Sequence, residues 1–184
     1  WSGVRRALRD RYRVLALDLK GFGYSGRPEG EPSDYAPQEE ARILLEFMDD
    51  RGVTSAAMVA HSWGSSVVLQ AALQQPERIE RIALYDAWVF SEQLPAAFFW
   101  ARAPGFGEFA FATFYTERIE DKIALAFFDP EVVPQALVDA TEEQVRRPGS
   151  AAAALAAVRG MNYEEPENHY GEIAQPTLLL WGRE

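Results

Sequence analysis

A chain of 184 residues, 48% of them hydrophobic and 12% aromatic, has the length and apolar content of one ordinary domain with a real core. The 18 Lys plus Arg against 28 Asp plus Glu leave a net charge of -10, which argues against nucleic acid or an anionic membrane surface as partner and favours a small neutral or apolar substrate. Without cysteine there is no disulfide scaffold, thiolate metal site or cysteine nucleophile, and a cytoplasmic location fits; no run approaches the roughly 18–20 apolar residues of a membrane span.

The chain opens on Trp1 rather than methionine, so a leader before it stays an open question. After a basic turn, Val14–Leu19 reads as a buried strand ending in Asp18-Leu19-Lys20-Gly21-Phe22-Gly23-Tyr24-Ser25-Gly26. Gly21, Gly23 and Gly26 match the G-x-G-x-x-G of dinucleotide-binding proteins, but that fingerprint needs a helix after its glycines. The residues that follow, Arg27-Pro28-Glu29-Gly30-Glu31-Pro32, tolerate none. The next helix starts with Pro37 in its first turn, presents Ala41, Leu44, Leu45 and Met48 inward, keeps Glu39, Glu40, Arg42 and Glu46 wet, and closes at Gly52.

The most informative stretch is Ala56 to Leu69. The apolar run Ala56–Ala60 reads as a strand buried on both faces, and Val67, Val68, Ala71 and Ala72 fall on one face of a helix, so strand turns to helix within about three residues. Such a turn forces Ser62 into a backbone conformation costing on the order of 1–3 kcal/mol and needs small neighbours, here Ala60 and Gly64. It lifts the Ser62 hydroxyl above the carboxyl end of the sheet and aims the Trp63 N–H, at the positive end of the helix, into the same space. The alternative is an ordinary strand-to-helix junction with a solvent-facing serine.

Pro76 stops that helix, and Ile79–Tyr85 reads as another strand, followed by Asp86. The rhythm is that of an α/β protein with a mostly parallel sheet and helices on both faces. From Trp88 to Gly171 helical patterns take over, rich in aromatics such as Phe98, Phe99, Trp100, Phe106, Phe109 and Phe111; about two-thirds of these aromatics are expected to serve packing. Ala151–Arg159 reads as a helix closed by Gly160, and Pro176–Trp181 as a last strand leading to Gly182-Arg183-Glu184.

Ala60-His61-Ser62-Trp63-Gly64 resembles the G-x-S-x-G nucleophile elbow of the α/β-hydrolase family, with alanine for the first glycine. The Asp18–Ser25 segment resembles that family's D-x-x-G-x-G-x-S loop, in which Asp18 is a structural acid, and Trp181-Gly182 resembles the start of the W-G-x-x-D ending of its seventh strand. The resemblance implies a division into a partial hydrolase core (1–87), a helical cap (88–171) and the seventh strand (172–184). It also implies a fragment: the H-G loop with its second oxyanion donor falls before Trp1, and the acid, last strand and catalytic histidine fall after Glu184. A strand of that missing part would lie between Val14–Leu19 and the elbow strand, so the piece alone is expected to leave central edges unpaired.

The implied activity is that of a serine hydrolase acting on an ester, thioester, amide or related activated carbonyl through an acyl-enzyme at Ser62, with the Trp63 N–H as oxyanion donor and no metal or cofactor. Carbon–carbon bond hydrolysis and peroxidation stay open, whereas serine rather than aspartate at the elbow argues against dehalogenase or epoxide hydrolase chemistry. Of the two histidines, His61 is read as packing or loop bonding at the pocket, and His169 as surface or hinge structure. Asp86 holds a place where some members of the family put the triad acid. A binding protein that keeps the fold without turnover is the alternative from another class.

Overall fold

Two parallel strands flanking the Ser62 turn form the centre of the molecule. In the computed structural model, which describes residues 1–183, β1 (Ala56–His61) pairs with β2 (Ile79–Tyr85) from Ala56↔Ile79 to His61↔Tyr85. β2 in turn pairs with β3 (Thr177–Leu180) from Ile82↔Thr177 to Tyr85↔Leu180. This partial three-stranded sheet, in the order β1-β2-β3, is parallel throughout, so each connection must cross over. α3 (Gly64–Gln74) makes the first crossover, and the long helical segment makes the second.

One face of the sheet carries the core: Ala60, Ile82 and Leu84 meet Val67 and Ala71 of α3, and behind α3 lies α2 (Pro37–Asp50) with Ala41, Leu45 and Met48. Helix α3 is apolar nearly all round because it lies between the sheet and α2. The other face is bare among the described residues, with Val59 and Tyr85 about half exposed and all of β3 exposed. Helix α1 (Ser2–Leu8) buries none of its residues.

Several expectations from the sequence need correction. β1 is buried on one face only, since no described segment covers the side that carries Ala57 and Val59. Val14–Leu19 forms no strand: no described strand lies alongside it, and apolar residues alone cannot supply a ladder partner. Glu40 is not wet but fully buried, because its Oε2 accepts the Lys20 N–H at 3.1 Å and so ties α2 to the start of the glycine loop. In that loop Asp18 Oδ2 accepts the Tyr24 N–H at 2.9 Å. Gly23 has φ +50°, and a Cβ there would fall 2.2 Å from the Asp18 carboxyl carbon, so the turn requires glycine. No helix follows: residues 27–31 are irregular and lead into a 3-10 turn, Pro32–Tyr35.

Between β2 and β3 run α4 (Ala96–Ala101), α5 (Phe106–Phe114), α6 (Ile119–Ala124), α7 (Gln135–Val145) and α8 (Ser150–Gly160). The small residues Ala153, Ala154, Ala156 and Ala157 let α8 lie close to its neighbours, and a Cβ on Gly160 would fall 2.4 Å from the Pro32 carbonyl oxygen. The aromatics here mostly do not pack inward as expected: Phe99, Trp100, Phe106, Phe109, Phe114 and Phe128 are exposed. Helices as short as α4 and α5 have neighbours on one side only, and the outward rings pair with one another instead, as Phe109 does with Phe114 at 6.3 Å. No described helix is long and apolar enough to cross a membrane.

Burial pushes the Glu40 carboxyl up from an ordinary 4.5 to about 7, only partly opposed by the Lys20 N–H. A carboxyl that holds its proton more tightly when folded gives stability that is full below about 4.5 and lost as the pH rises through about 7. Thermal melts at pH 5 and pH 8 are expected to show Glu40→Gln gaining on the wild type by on the order of 2–3 kcal/mol across that interval. Equal pH slopes in the two proteins would contradict this.

Candidate active site

The chain reverses direction at Ser62, which has φ +52° although it is not glycine. Three backbone hydrogen bonds hold it there. Its N–H donates to Tyr85 O at 3.0 Å, and its carbonyl oxygen accepts from Ser65 N at 3.0 Å and Trp88 N at 3.1 Å. The end of β2 and the loop after it thus grip the turn, offsetting a backbone strain of about 1–3 kcal/mol. Ser62 is half-buried, at the carboxyl end of β1.

Trp63 follows as the N-cap of α3, its indole buried and lying 5.3 Å from the Phe22 ring. Its backbone N–H has no backbone acceptor among the described residues, as expected of the first N–H groups of a helix. The Ser66 hydroxyl donates to Trp63 O at 2.7 Å and fixes the first turn. Ser65 and Ser66 are both fully buried behind Ser62, a supporting role not read from the sequence; the only signal was two serines opening an otherwise apolar helix.

Asp86 stands one position beyond Tyr85, as Ser62 stands one beyond its partner His61, so the two occupy neighbouring strand ends. It too has positive φ, +43°. Its N–H donates to Leu180 O at 2.9 Å, and its Oδ1 accepts the Gly182 N–H at 3.2 Å, bracing the chain after β3.

The histidines are placed elsewhere. His61 is exposed and its ring lies 5.3 Å from that of Tyr85. His169, in the 3-10 turn Pro166–Glu172, bonds Glu172 through Nδ1 at 2.8 Å and faces Glu165 through Nε2 at 3.2 Å; the Glu172 hydrogen bond above all raises its pKa. It shares a hollow of about 270 Å³ with Gln70, Leu73 and Gln74, which at 1.5 Å per residue puts it roughly 12–18 Å along α3 from Ser62. A second hollow, of about 280 Å³ between the Pro32–Tyr35 turn and the end of α8, also excludes Ser62. Glu184 lies outside the described residues, so the predicted start of the loop after β3 is seen only as far as Arg183.

The family model described as alpha/beta hydrolase fold matches residues 1–184. The chain belongs to that family. Among relatives, haloalkane dehalogenase 2 of Mycobacterium tuberculosis is 28% identical over 195 residues, covering 99% of this chain and 66% of its own length. Among solved structures, Cfl2 of Burkholderia cenocepacia superposes with a TM-score of 0.83 at 25% identity, over 97% of this chain and 66% of that one. The 2-hydroxy-6-oxo-6-phenylhexa-2,4-dienoate hydrolase of Rhodococcus sp. strain RHA1 gives a TM-score of 0.79 at 22% identity, over 100% and 67%, a likeness of fold. The chain thus spans about two thirds of the length of these hydrolase-fold proteins.

The small residues that flank Ser62 are not equally constrained. A Cβ on Gly64 would meet only the Ala60 Cβ, at an ordinary 4.0 Å, while Ala60 itself is buried against α3. Gly64→Ala is therefore expected to be neutral or to stabilise by up to about 1 kcal/mol, and Ala60→Leu to destabilise by about 1–3 kcal/mol. Denaturant unfolding of the two variants checks this; a larger loss in Gly64→Ala would contradict it.

Proposed function

We propose that the protein is a serine hydrolase acting on a small apolar or neutral ester, thioester, amide or related activated carbonyl. The observation that carries the reading is the positive φ of Ser62 between strand and helix, with an unengaged N–H following it. Ser62 Oγ adds to the carbonyl carbon and gives its proton to a general base. The Trp63 N–H stabilises the oxyanion, the leaving group departs with a proton, and water then releases the acyl group.

Neither His61 nor His169 suits the base: one is exposed with its ring tilted against Tyr85, the other held between carboxylates. The base is therefore assigned to a histidine of the intact protein outside these 184 residues. Asp86 is assigned as a brace, since its Oδ1 is taken by the Gly182 N–H. Residues 88–171 are assigned as a cap over the site, and the whole as a protein without metal or cofactor. The M. tuberculosis relative is named a haloalkane dehalogenase; a serine at the elbow favours acyl transfer over alkyl displacement, because a carboxylate is the better nucleophile toward an unactivated alkyl carbon and an alkyl-serine ether would not hydrolyse readily.

Labelling of the intact protein by a fluorophosphonate tests the reading. The wild type is expected to react at Ser62, Ser62→Ala to react not at all, and Asp86→Asn to stay within about threefold of the wild type. Equal labelling of the wild type and Ser62→Ala would overturn the nucleophile. A loss of 100-fold or more in Asp86→Asn would make that residue the acid instead of a brace.

A further inference from the structure

The loop of residues 21–26 lies between two parts of the molecule that are far apart in the chain. On one side, a Cβ on Gly21 would fall 2.9 Å from the Tyr35 ring and 3.1 Å from Ala153 of α8, so the loop is wedged against the helical segment. On the other, the Phe22 ring lies against the Trp63 indole at 5.3 Å, next to Ser62.

Arg27 joins these sides. Its guanidinium donates to two carbonyl oxygens of the loop, Ser25 O at 2.9 Å and Gly23 O at 2.8 Å. It also donates to two acceptors at the α7–α8 junction, Ser150 Oγ at 2.7 Å and Gln144 O at 3.2 Å. Arg147, from the same junction, adds a bond to Gly23 O at 2.5 Å and stacks over Tyr24.

Nearly all the donors of Arg27 are thus engaged within the protein, which leaves it no capacity for a bidentate grip on a substrate anion. A lysine could replace its charge but not its fork, which alone reaches acceptors on both sides at once. Loop stability by itself would need only the two carbonyl contacts. The other two bonds tie the loop to the helical segment, and the Phe22 contact carries its position to the residue after Ser62.

We propose that Arg27 is a positioning residue: it fixes the 21–26 loop between the α7–α8 junction and Trp63, and through Phe22 holds the Trp63 N–H in place beside Ser62. The proposal rests on the reading of that N–H as the oxyanion donor. Helical segment and nucleophile turn, which already share a buried apolar cluster of Trp63 with Ala153, Ala156 and Ala157, are then also coupled through one guanidinium.

The test compares wild type, Arg27→Lys and Phe22→Leu in the intact protein, by amide hydrogen exchange over residues 19–27 and 143–150 and by saturable fluorophosphonate labelling, which separates the inactivation rate from the reversible affinity. Arg27→Lys is expected to raise exchange about tenfold in both segments and to lower the inactivation rate about tenfold, with affinity within about twofold. Phe22→Leu is expected to lower the rate similarly while leaving exchange over 143–150 as in the wild type.

Unchanged exchange in Arg27→Lys overturns the coupling, and raised exchange with an unchanged inactivation rate, or an effect carried by affinity alone, overturns the positioning role. Should Arg27→Lys not fold, an unchanged rate in Phe22→Leu overturns it independently. A wild type that does not label overturns the serine hydrolase reading and with it the positioning role, while the exchange measurements, which need no chemistry, still decide whether Arg27 couples the loop to the helices.

Discussion

A single residue held against its backbone preference organises the rest. Ser62 at φ +52° would relax if it could, and three backbone bonds, to Tyr85, Ser65 and Trp88, prevent it. Two of these partners lie at or just past the end of β2, so the strained turn depends on the β1–β2 ladder being in register up to His61↔Tyr85. A slip by one residue would face the wrong side chains inward and also remove the acceptor for the Ser62 N–H. The register therefore serves the core and the turn together, and the conformation of Ser62 is a product of sheet formation instead of a local property of the pentapeptide.

Much of this was legible in the sequence because it rests on short-range patterns. The run Ala56–Ala60, the small residues around Ser62 and the apolar face of Val67, Val68 and Ala71 lie within one strand and one helix, and each falls in the element the pattern predicts, although β1 is buried on one face only, because no described segment covers the side of Ala57 and Val59. The same holds for Pro37 and Pro76 as punctuation. The departures are of another kind. Val14–Leu19 has a strand's composition, but a strand needs a neighbour, and which segment stands alongside is decided at long range. Glu40 sits on what looks like the wet face of α2; only the fold brings the Lys20 N–H to it and closes that face against the glycine loop. The exposed rings of α4 and α5 reverse a sound general rule because helices of six and nine residues in a thin layer have too few neighbours to cover every ring.

The glycine loop shows how one motif can serve several demands. Its composition invited a phosphate-binding reading, which failed on the absence of a following helix. Its glycines are needed for close approach: Gly23 leaves room for the Asp18 carboxylate, and Gly21 leaves room for Tyr35 and Ala153. The loop has little apolar surface of its own beyond Phe22, so polar bonds set its shape, from Asp18 within and from Glu40 and Arg27 without. Such a segment keeps its conformation only while its neighbours keep theirs.

That dependence separates the molecule into two mechanical parts. The floor, made of β1, β2 and α3, is fixed by a backbone ladder and a buried apolar core, interactions that no single exposed side chain can undo. The layer of α4–α8 is made of short helices with many exposed rings and reaches the floor partly through side-chain hydrogen bonds to the loop. Substitutions within the layer can therefore alter its surface without disturbing the Ser62 turn, so long as the contacts around Arg27 and the buried packing of Ala153, Ala156 and Ala157 with Trp63 survive. The polar ties of the layer to the loop are concentrated at its α7–α8 corner, where Gln144, Arg147 and Ser150 meet it, while α5 is held to α8 by the Arg159–Glu108 ion pair at 2.6 Å.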